Sequence, residues 1–120
     1  MLVIGGVDDG GITETVLQVE NSKTGIVFFE RPDLPLPRSF VAAVLLPDDR
    51  VFVAGGFSDV DEPAAETFVL SDGAWLPGPS LNIPRAKARA VVLGDGRVAV
   101  VGGSLRSGSA TSAVEVLELE

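Results

Sequence analysis

The chain has 120 residues, 46% of them hydrophobic, and its 17 acidic and 9 basic residues give a net charge of −8. This length is typical of one domain with a sizeable core, and the acidic surplus argues against a nucleic-acid partner because the phosphate backbone is also negative. The sequence contains no Cys, His or Tyr, which excludes disulfides, thiolate metal sites and thiol nucleophiles.

No segment of the sequence predicts membrane insertion. The longest apolar run, residues 40–46, is far shorter than a membrane span. The N-terminus lacks the basic flank and cleavage region of a signal peptide. We therefore expect a soluble chain with no membrane partner, and its compartment stays unknown.

The first predicted strand lies in MLVIGG (residues 1–6), where an apolar run ends at two glycines. The pattern returns as PDDRVFVAGG (47–56) and as GDGRVAVVGG (94–103), in which an Asp-rich turn precedes a β-branched run. A spacing of 50 and then 47 residues between the glycine pairs indicates a propeller or solenoid repeat. The pairs are Gly5-Gly6, Gly55-Gly56 and Gly102-Gly103.

Other landmarks keep the same order along the chain. After each glycine pair and a polar segment, a glutamate opens an apolar run that predicts a third strand; these residues are Glu14, Glu66 and Glu115. An aromatic residue in a further predicted strand then lies ten residues before a Pro-Arg pair, as Phe28 before Arg38 and Trp75 before Arg85. Another apolar run follows each arginine, at residues 40–46 and 88–93.

These landmarks divide the chain into three units, at about residues 1–36, 37–83 and 84–120. They predict three, four and three strands in the successive units, with almost no helix. Strands that are apolar on both faces must be covered on both, which neighbouring units packed face to face achieve.

The order of landmarks resembles the kelch repeat. That family has a double glycine closing its second strand, an Asp-Gly-Arg type of turn before it, a glutamate in the third strand and an aromatic, usually Trp, in the fourth. The middle unit matches throughout, whereas Phe28 replaces Trp in the first unit and the third unit ends after its third strand. The resemblance implies an all-β fold of three kelch-type β-propeller blades, the outer two incomplete.

Three blades are too few for a closed ring, since propellers have four to eight. The ring is then partial because the chain is a piece of a longer propeller, or it is completed by oligomerisation. If the chain is complete, we expect a homodimer with six blades.

The recurring residues are predicted to be structural. A side chain repeated in every unit is expected to satisfy backbone or arginine donors there, whereas catalytic carboxylates need two different environments. This assigns the recurring glutamates, and Arg38 and Arg85, to ordering the blades, and Trp75 to packing. The glycine pairs are not predicted to bind phosphate because no helix follows them.

The binding candidates lie in the segments between the second and third strands of each unit, residues 7–13, 57–65 and 104–113. These segments vary while the strands recur, as expected of binding loops on a rigid scaffold. Their spacing matches no calcium motif, so we predict no metal and no cofactor. The candidate side chains are Asp8, Asp9, Asp59, Asp61, Glu62 and Arg106.

The leading functional hypothesis is a non-catalytic module that binds a protein or peptide, with a preference for basic partners. One alternative is a fragment or subunit of a kelch-type carbohydrate-active enzyme. The copper site of galactose oxidase needs His and Tyr, which this chain lacks, and no residue can be matched to the kelch-like sialic acid epimerases. A second alternative is a purely structural piece of a propeller assembly.

Overall fold

The structure is a computed structural model, and it describes residues 2–4, 7–8, 11–12, 16–22, 25–31, 33–59 and 62–119. Among the residues up to Arg31, side chains are described for Ile4 alone, and Asp59 is described by its backbone. Within these ranges every regular element is a strand, which confirms the predicted all-β class. No helix in the described ranges is long and apolar enough to cross a membrane.

The described residues form fourteen strands. In chain order they are β1 (Leu2–Ile4), β2 (Val7–Asp8), β3 (Gly11–Ile12), β4 (Val16–Ser22), β5 (Gly25–Arg31), β6 (Ala42–Leu45), β7 (Val51–Ala54), β8 (Phe57–Asp59), β9 (Glu62–Pro63), β10 (Thr67–Ser71), β11 (Ala74–Pro77), β12 (Arg89–Val92), β13 (Val98–Val101) and β14 (Val114–Leu117).

Ten of these strands form three antiparallel sheets. The first sheet has the order β1-β4-β5, the second β6-β7-β10-β11 and the third β12-β13-β14. Neighbours in each sheet are also neighbours in the order of these ten strands, as expected when short connections join antiparallel strands. The predicted distribution of three, four and three strands is confirmed for the described part of the chain.

The segments predicted as irregular binding loops contain local pairing of their own. Strands β2 and β3 form one short ribbon, and β8 and β9 form another. In the third segment Ser104 forms a bridge with Ala110 around a turn in which the Leu105 N–H donates to the Ser109 carbonyl at 2.9 Å. Pairing within each segment satisfies part of its backbone hydrogen-bonding groups.

Strand β7 is buried on both faces and lies at the centre of the molecule. Phe52 and Ala54 belong to a core shared with Val98 and Val100 of the third sheet. The alternate residues of β7 belong to a second cluster with Leu34 and Leu70, against which Ile4 of the first sheet packs. Because side chains alternate across a strand, β7 joins two cores, and this explains its uninterrupted apolar sequence.

The pairing register repeats between the second and third sheets. Ala54 pairs with Thr67, and Val101, which lies 47 positions after Ala54, pairs with Val114. We call residues that occupy the same place in this register equivalent. Equivalent residues differ by 47 in strands β6, β7 and β10 against β12, β13 and β14.

Trp75 is partly buried, less so than its predicted role as a packing anchor suggests. It lies in β11, the outermost strand of the second sheet, and packs against the cluster that includes Val51, Val53 and Leu70. An edge position leaves part of the large indole ring open to solvent. The side chain of Phe28, its counterpart in the first unit, lies outside the described residues.

The glycine pairs are required by close backbone approach. Gly103 has a φ of +103°, and a Cβ there would lie 2.6 Å from the Ala86 carbonyl oxygen. Gly56 is equivalent, with a φ of +92° and 2.7 Å to the Ser39 carbonyl oxygen. Gly5 and Gly6 lie outside the described residues.

We predict that Gly103→Ala destabilises the protein more than Gly96→Ala. Gly96 also has positive φ, at +90°, but a Cβ there would meet nothing within 4 Å. The control should cost about 1–2 kcal/mol for the left-handed backbone, and Gly103→Ala about 1–3 kcal/mol more because the backbone must shift. Urea unfolding measures both, and equal losses would contradict the role given to close approach.

Candidate functional site

One end of the second and third sheets is built from the segments that leave β7 and β13 and those that enter β6 and β12. We call it the loop end, and it comprises residues 33–41, 55–66, 78–88 and 102–113. Ser39 and Phe57 exchange two backbone hydrogen bonds there, of 3.1 and 2.7 Å. Ala86 and Ser104 exchange the same two bonds at the equivalent place, so each entering segment is fastened to the segment that leaves the strand beside it.

The loop end is also connected from one sheet to the next. The Arg85 N–H donates to the Ala64 carbonyl at 3.2 Å, and the Gly56 N–H donates to the Arg85 carbonyl at 2.9 Å. Farther along, the Lys87 N–H donates to the Phe40 carbonyl at 3.0 Å. These backbone bonds fix the second and third sheets relative to each other at this end.

The Arg85 side chain is fully buried at the loop end, and four acceptors surround it. Its Nη1 donates to the carbonyls of Gly102 at 3.0 Å and Ala113 at 2.7 Å. Its Nη2 lies 2.7 Å from Oε2 of Glu115, and its Nε donates to the Ile83 carbonyl at 3.4 Å. A buried guanidinium is tolerated only when its donors are satisfied, and these acceptors provide that.

Glu115 completes this buried network through its two oxygens. Oε1 accepts from the Asn82 N–H at 2.6 Å, and Oε2 accepts from the Ile83 N–H at 3.1 Å. Desolvation by itself raises the pKa of Glu115, but these backbone donors and the Arg85 guanidinium outweigh it, so the pKa lies below its ordinary value. The carboxylate is therefore ionised and engaged with the backbone and Arg85.

Arg38 holds the corresponding place in the second sheet with fewer partners. Its Nη2 lies 3.2 Å from Oε2 of Glu66, whose side chain is 50% exposed, and its Nη1 donates to the Pro37 carbonyl at 2.8 Å. Its buried Nε has no hydrogen-bond partner. The sequence offers a reason for the weaker pair, because Pro35 stands 47 positions before Asn82 and has no N–H to donate.

The two glutamates reach their arginines from different register positions. Glu66 directly precedes Thr67, the first paired residue of β10, whereas Glu115 follows Val114, the first paired residue of β14. The order of landmarks in the sequence treats Glu66 and Glu115 as counterparts, but in the pairing register Glu66 stands two residues before the position equivalent to Glu115. Both positions lie on the same side of the strand, since side chains alternate with a period of two. Glu14 lies outside the described residues.

The structure brings together two of the predicted binding residues from different segments. Arg106 Nη2 lies 2.9 Å from Oε1 of Glu62, and both side chains are largely solvated, at 79% and 46% exposure. A pair this exposed contributes little to stability and remains accessible. The side chains of Asp8, Asp9, Asp59 and Asp61 lie outside the described residues.

Sequence reasoning missed a second group of exposed side chains at the loop end. Phe40 and Lys87 are equivalent residues, and both have positive φ, at 52° and 59°. Lys87 Nζ lies 5.2 Å from the centre of the Phe40 ring, and the Phe57 ring meets that ring edge-on at 6.1 Å. Phe40, Lys87 and Arg89 line an open groove of about 330 Å³. The sequence contains one sign of this group. Phe40 and Lys87 each stand two residues after a recurring arginine, and they are 47 positions apart.

The opposite end of the sheets carries two hairpin turns with equivalent ion pairs. Arg50 Nε lies 2.7 Å from Asp48 Oδ2, and Arg97 Nε lies 2.7 Å from Asp95 Oδ2. The pKa of Asp95 is lowered, first by the Arg97 backbone N–H and then by its side chain. These pairs order the turns, and the groove of about 600 Å³ between them is lined by residues of both turns together with Glu118 and Leu119.

Among the described residues, no group of three or more carboxylates is arranged to hold a metal ion. The described side chains that are exposed at the loop end include charged groups, the Phe40 ring and hydroxyl groups such as those of Ser107 and Ser109.

No protein-family model and no curated protein matches the sequence. Among solved structures, the structure of YjhT matches with a TM-score of 0.76 at 16% sequence identity. The match covers 98% of this chain and 42% of the YjhT chain. At this level of sequence identity the match shows a shared fold alone. This chain spans less than half the length of the YjhT chain.

We predict that Arg85→Met is much more destabilising than Arg38→Met. Removal of Arg85 leaves the buried Glu115 carboxylate without its cation, at a cost of about 3–5 kcal/mol. Glu66 is half exposed and can rehydrate, so the matched change should cost less than about 2 kcal/mol. Chemical unfolding of the two variants measures the difference, and a larger loss for Arg38→Met would overturn it.

The stability difference between the wild type and Glu115→Gln should depend on pH. Because the folded pKa of Glu115 is lowered, its stabilisation is complete above the ordinary value of 4.5 and is lost as pH falls through the folded pKa. The wild type should exceed the variant most at neutral pH and approach it in acid, where the glutamate is also uncharged. Unfolding curves at a series of pH values test this, and a constant difference would contradict it.

Proposed function

We propose that the three sheets are consecutive blades of a kelch-type β-propeller and that the chain is a non-catalytic binding module whose loop end recognises a protein or peptide. The kelch resemblance of the glycine pairs, arginines and Trp75 supports the first part. The repeated pairing register and the antiparallel order of the second sheet are in keeping with it. The match to the structure of YjhT supports a common fold and no more.

The proposed binding function rests on one observation: at the loop end, segments of variable length and sequence project from a hydrogen-bonded frame. The backbone bonds between Ser39 and Phe57 and between Ala86 and Ser104 recur with the same lengths, and the Arg85 network is buried. The segments that project from this frame differ in length and sequence. A preorganised frame with variable projections suits recognition because little ordering entropy is lost on binding.

Charge at the projecting segments favours a basic partner. Among the described residues Glu62 pairs with Arg106 through a solvated ion pair, and Asp59 and Asp61 add carboxylates to the same segment. An exposed ion pair exchanges its partner at little cost. A lysine or arginine of a ligand can therefore replace Arg106 beside Glu62.

The buried carboxylate at the loop end favours a structural role over a catalytic one. The carboxylate of Glu115 is consumed by Arg85 and two backbone donors, so it has no free oxygen to transfer a proton. The exposed Phe40 ring beside Lys87 is the feature that favours the second candidate, a fragment or subunit of a carbohydrate-active enzyme, because sugars stack on such rings. A purely structural propeller piece is the third candidate.

We predict that Asp59→Asn/Asp61→Asn weakens binding of a basic peptide while leaving the fold intact. The probe is a fluorescein-labelled oligolysine followed by anisotropy, and the loss should be about tenfold, or about 0.7 kcal/mol per exposed charge. The loss should be larger at low salt because such contacts are screened.

Asp48→Asn/Asp95→Asn is the matched control, because it removes the same charge from the opposite end of the sheets. If both double variants weakened peptide binding equally, the effect would come from the net charge of the protein, and the proposed site at the loop end would be wrong. Unfolding of Asp59→Asn/Asp61→Asn, seen by circular dichroism, would make those carboxylates structural and also overturn it.

A further inference from the structure

The third sheet has an apolar face that nothing in the described part of the chain covers. Across this face Val91 pairs with Ala99, and Ala99 pairs with Val116. Four valines of the face are substantially solvated, with exposures of 37–56%. They are Val91, Val101, Val114 and Val116. A contiguous group of exposed β-branched side chains on a regular sheet marks an interaction surface.

The internal repeat indicates what kind of surface fits there. The equivalent face of the second sheet carries Val44, Phe52, Ala54 and Val69, and it is packed inside the molecule. The residues that cover it are Val98, Val100 and Leu117 on the opposite face of the third sheet. The exposed face of the third sheet is therefore the same kind of surface, and it fits another sheet with residues like those three.

The first sheet has apolar residues at the register positions equivalent to Val100 and Leu117. Ile4 pairs with Val16 as Val101 pairs with Val114, so Val3 stands at the position of Val100 and Val19 at that of Leu117. Ile4 packs against the cluster of the second sheet that contains Val51 and Val53, as its equivalent Ala54 packs in the core shared with the third. The first sheet thus follows the same arrangement, with its complementary positions on the side away from the second sheet.

We propose that the exposed face of the third sheet is covered by the first sheet of a second copy of this chain. If both copies make the contact, two equivalent seams join them about a two-fold axis. The resulting six sheets fall within the four to eight blades of closed propellers. The inference uses the proposed succession of blades but not the proposed peptide partner.

The test is the mass of the 120-residue chain in solution by sedimentation equilibrium at about 10 µM, where a dimer with a micromolar or tighter dissociation constant is populated. We expect 24.8 kDa, twice the 12.4 kDa of one chain. Val114→Lys/Val116→Lys places two charges in the seam and should yield 12.4 kDa. Val19→Lys should have the same effect from the other side of the seam.

Leu45→Lys is the matched control, since Leu45 is 63% exposed but pairs with Val51 on the face of the second sheet away from the third. It should remain dimeric, and circular dichroism should show that the monomeric variants keep their strands. Because the seam is apolar, the dimer should also persist at high salt, unlike binding of the oligolysine.

Three outcomes would overturn the proposal. A wild-type mass of 12.4 kDa would mean that no second copy covers the face. A dimer unaffected by Val114→Lys/Val116→Lys would place the contact elsewhere. Masses that grow beyond two chains with concentration would indicate an open array in place of two closed seams. None of these results depends on peptide binding, so they are distinguishable from failure of the proposed function.

Discussion

The buried guanidinium of Arg85 is the constraint on which the loop end depends. A cation removed from water must have its donors satisfied, and here the acceptors come from Gly102 at the end of β13, from Ala113 before β14 and from Glu115 within it. Its backbone meanwhile bonds to Ala64 and Gly56 of the second sheet. One residue therefore fixes the relative positions of strand ends in two sheets, and the exposed segments project from a defined frame.

The repeat is regular in its backbone and unequal in its polar network. The bridges at Ser39 and Ala86 have matching bond lengths, yet Arg38 has an unpartnered Nε and a half-exposed carboxylate beside it. Two differences accompany this one: Glu66 stands two register positions before the place of Glu115, and Pro35, at the place of Asn82, has no N–H to donate to a carboxylate. Stability is consequently unequal along the chain, and the third sheet is anchored more firmly at the loop end than the second.

Two surfaces of the molecule have opposite chemistry and suit different kinds of contact. The loop end presents solvated charges such as Glu62 and Arg106, whose contacts form and exchange at little cost. The outer face of the third sheet presents four exposed valines, where burial of apolar area is the driving force. Reversible binding at the loop end and stable packing at the face of the third sheet are compatible, because Glu62 and Arg106 are not among the exposed valines of that face.

Local chemistry in the sequence determined the ten strands of the three sheets, their grouping as three, four and three, and the glycine turns, because these follow from alternation, turn residues and a fixed spacing. Tertiary structure alone decided the rest. The two-residue displacement between Glu66 and Glu115, the partial exposure of Trp75 at a sheet edge, and the contact of Phe40 with Lys87 depend on where distant strands meet. So does the uncovered face of the third sheet: Ala54 of β7 is buried, whereas its equivalent Val101 of β13 is exposed, because a neighbouring sheet lies against the first face and none in the described part of the chain lies against the second.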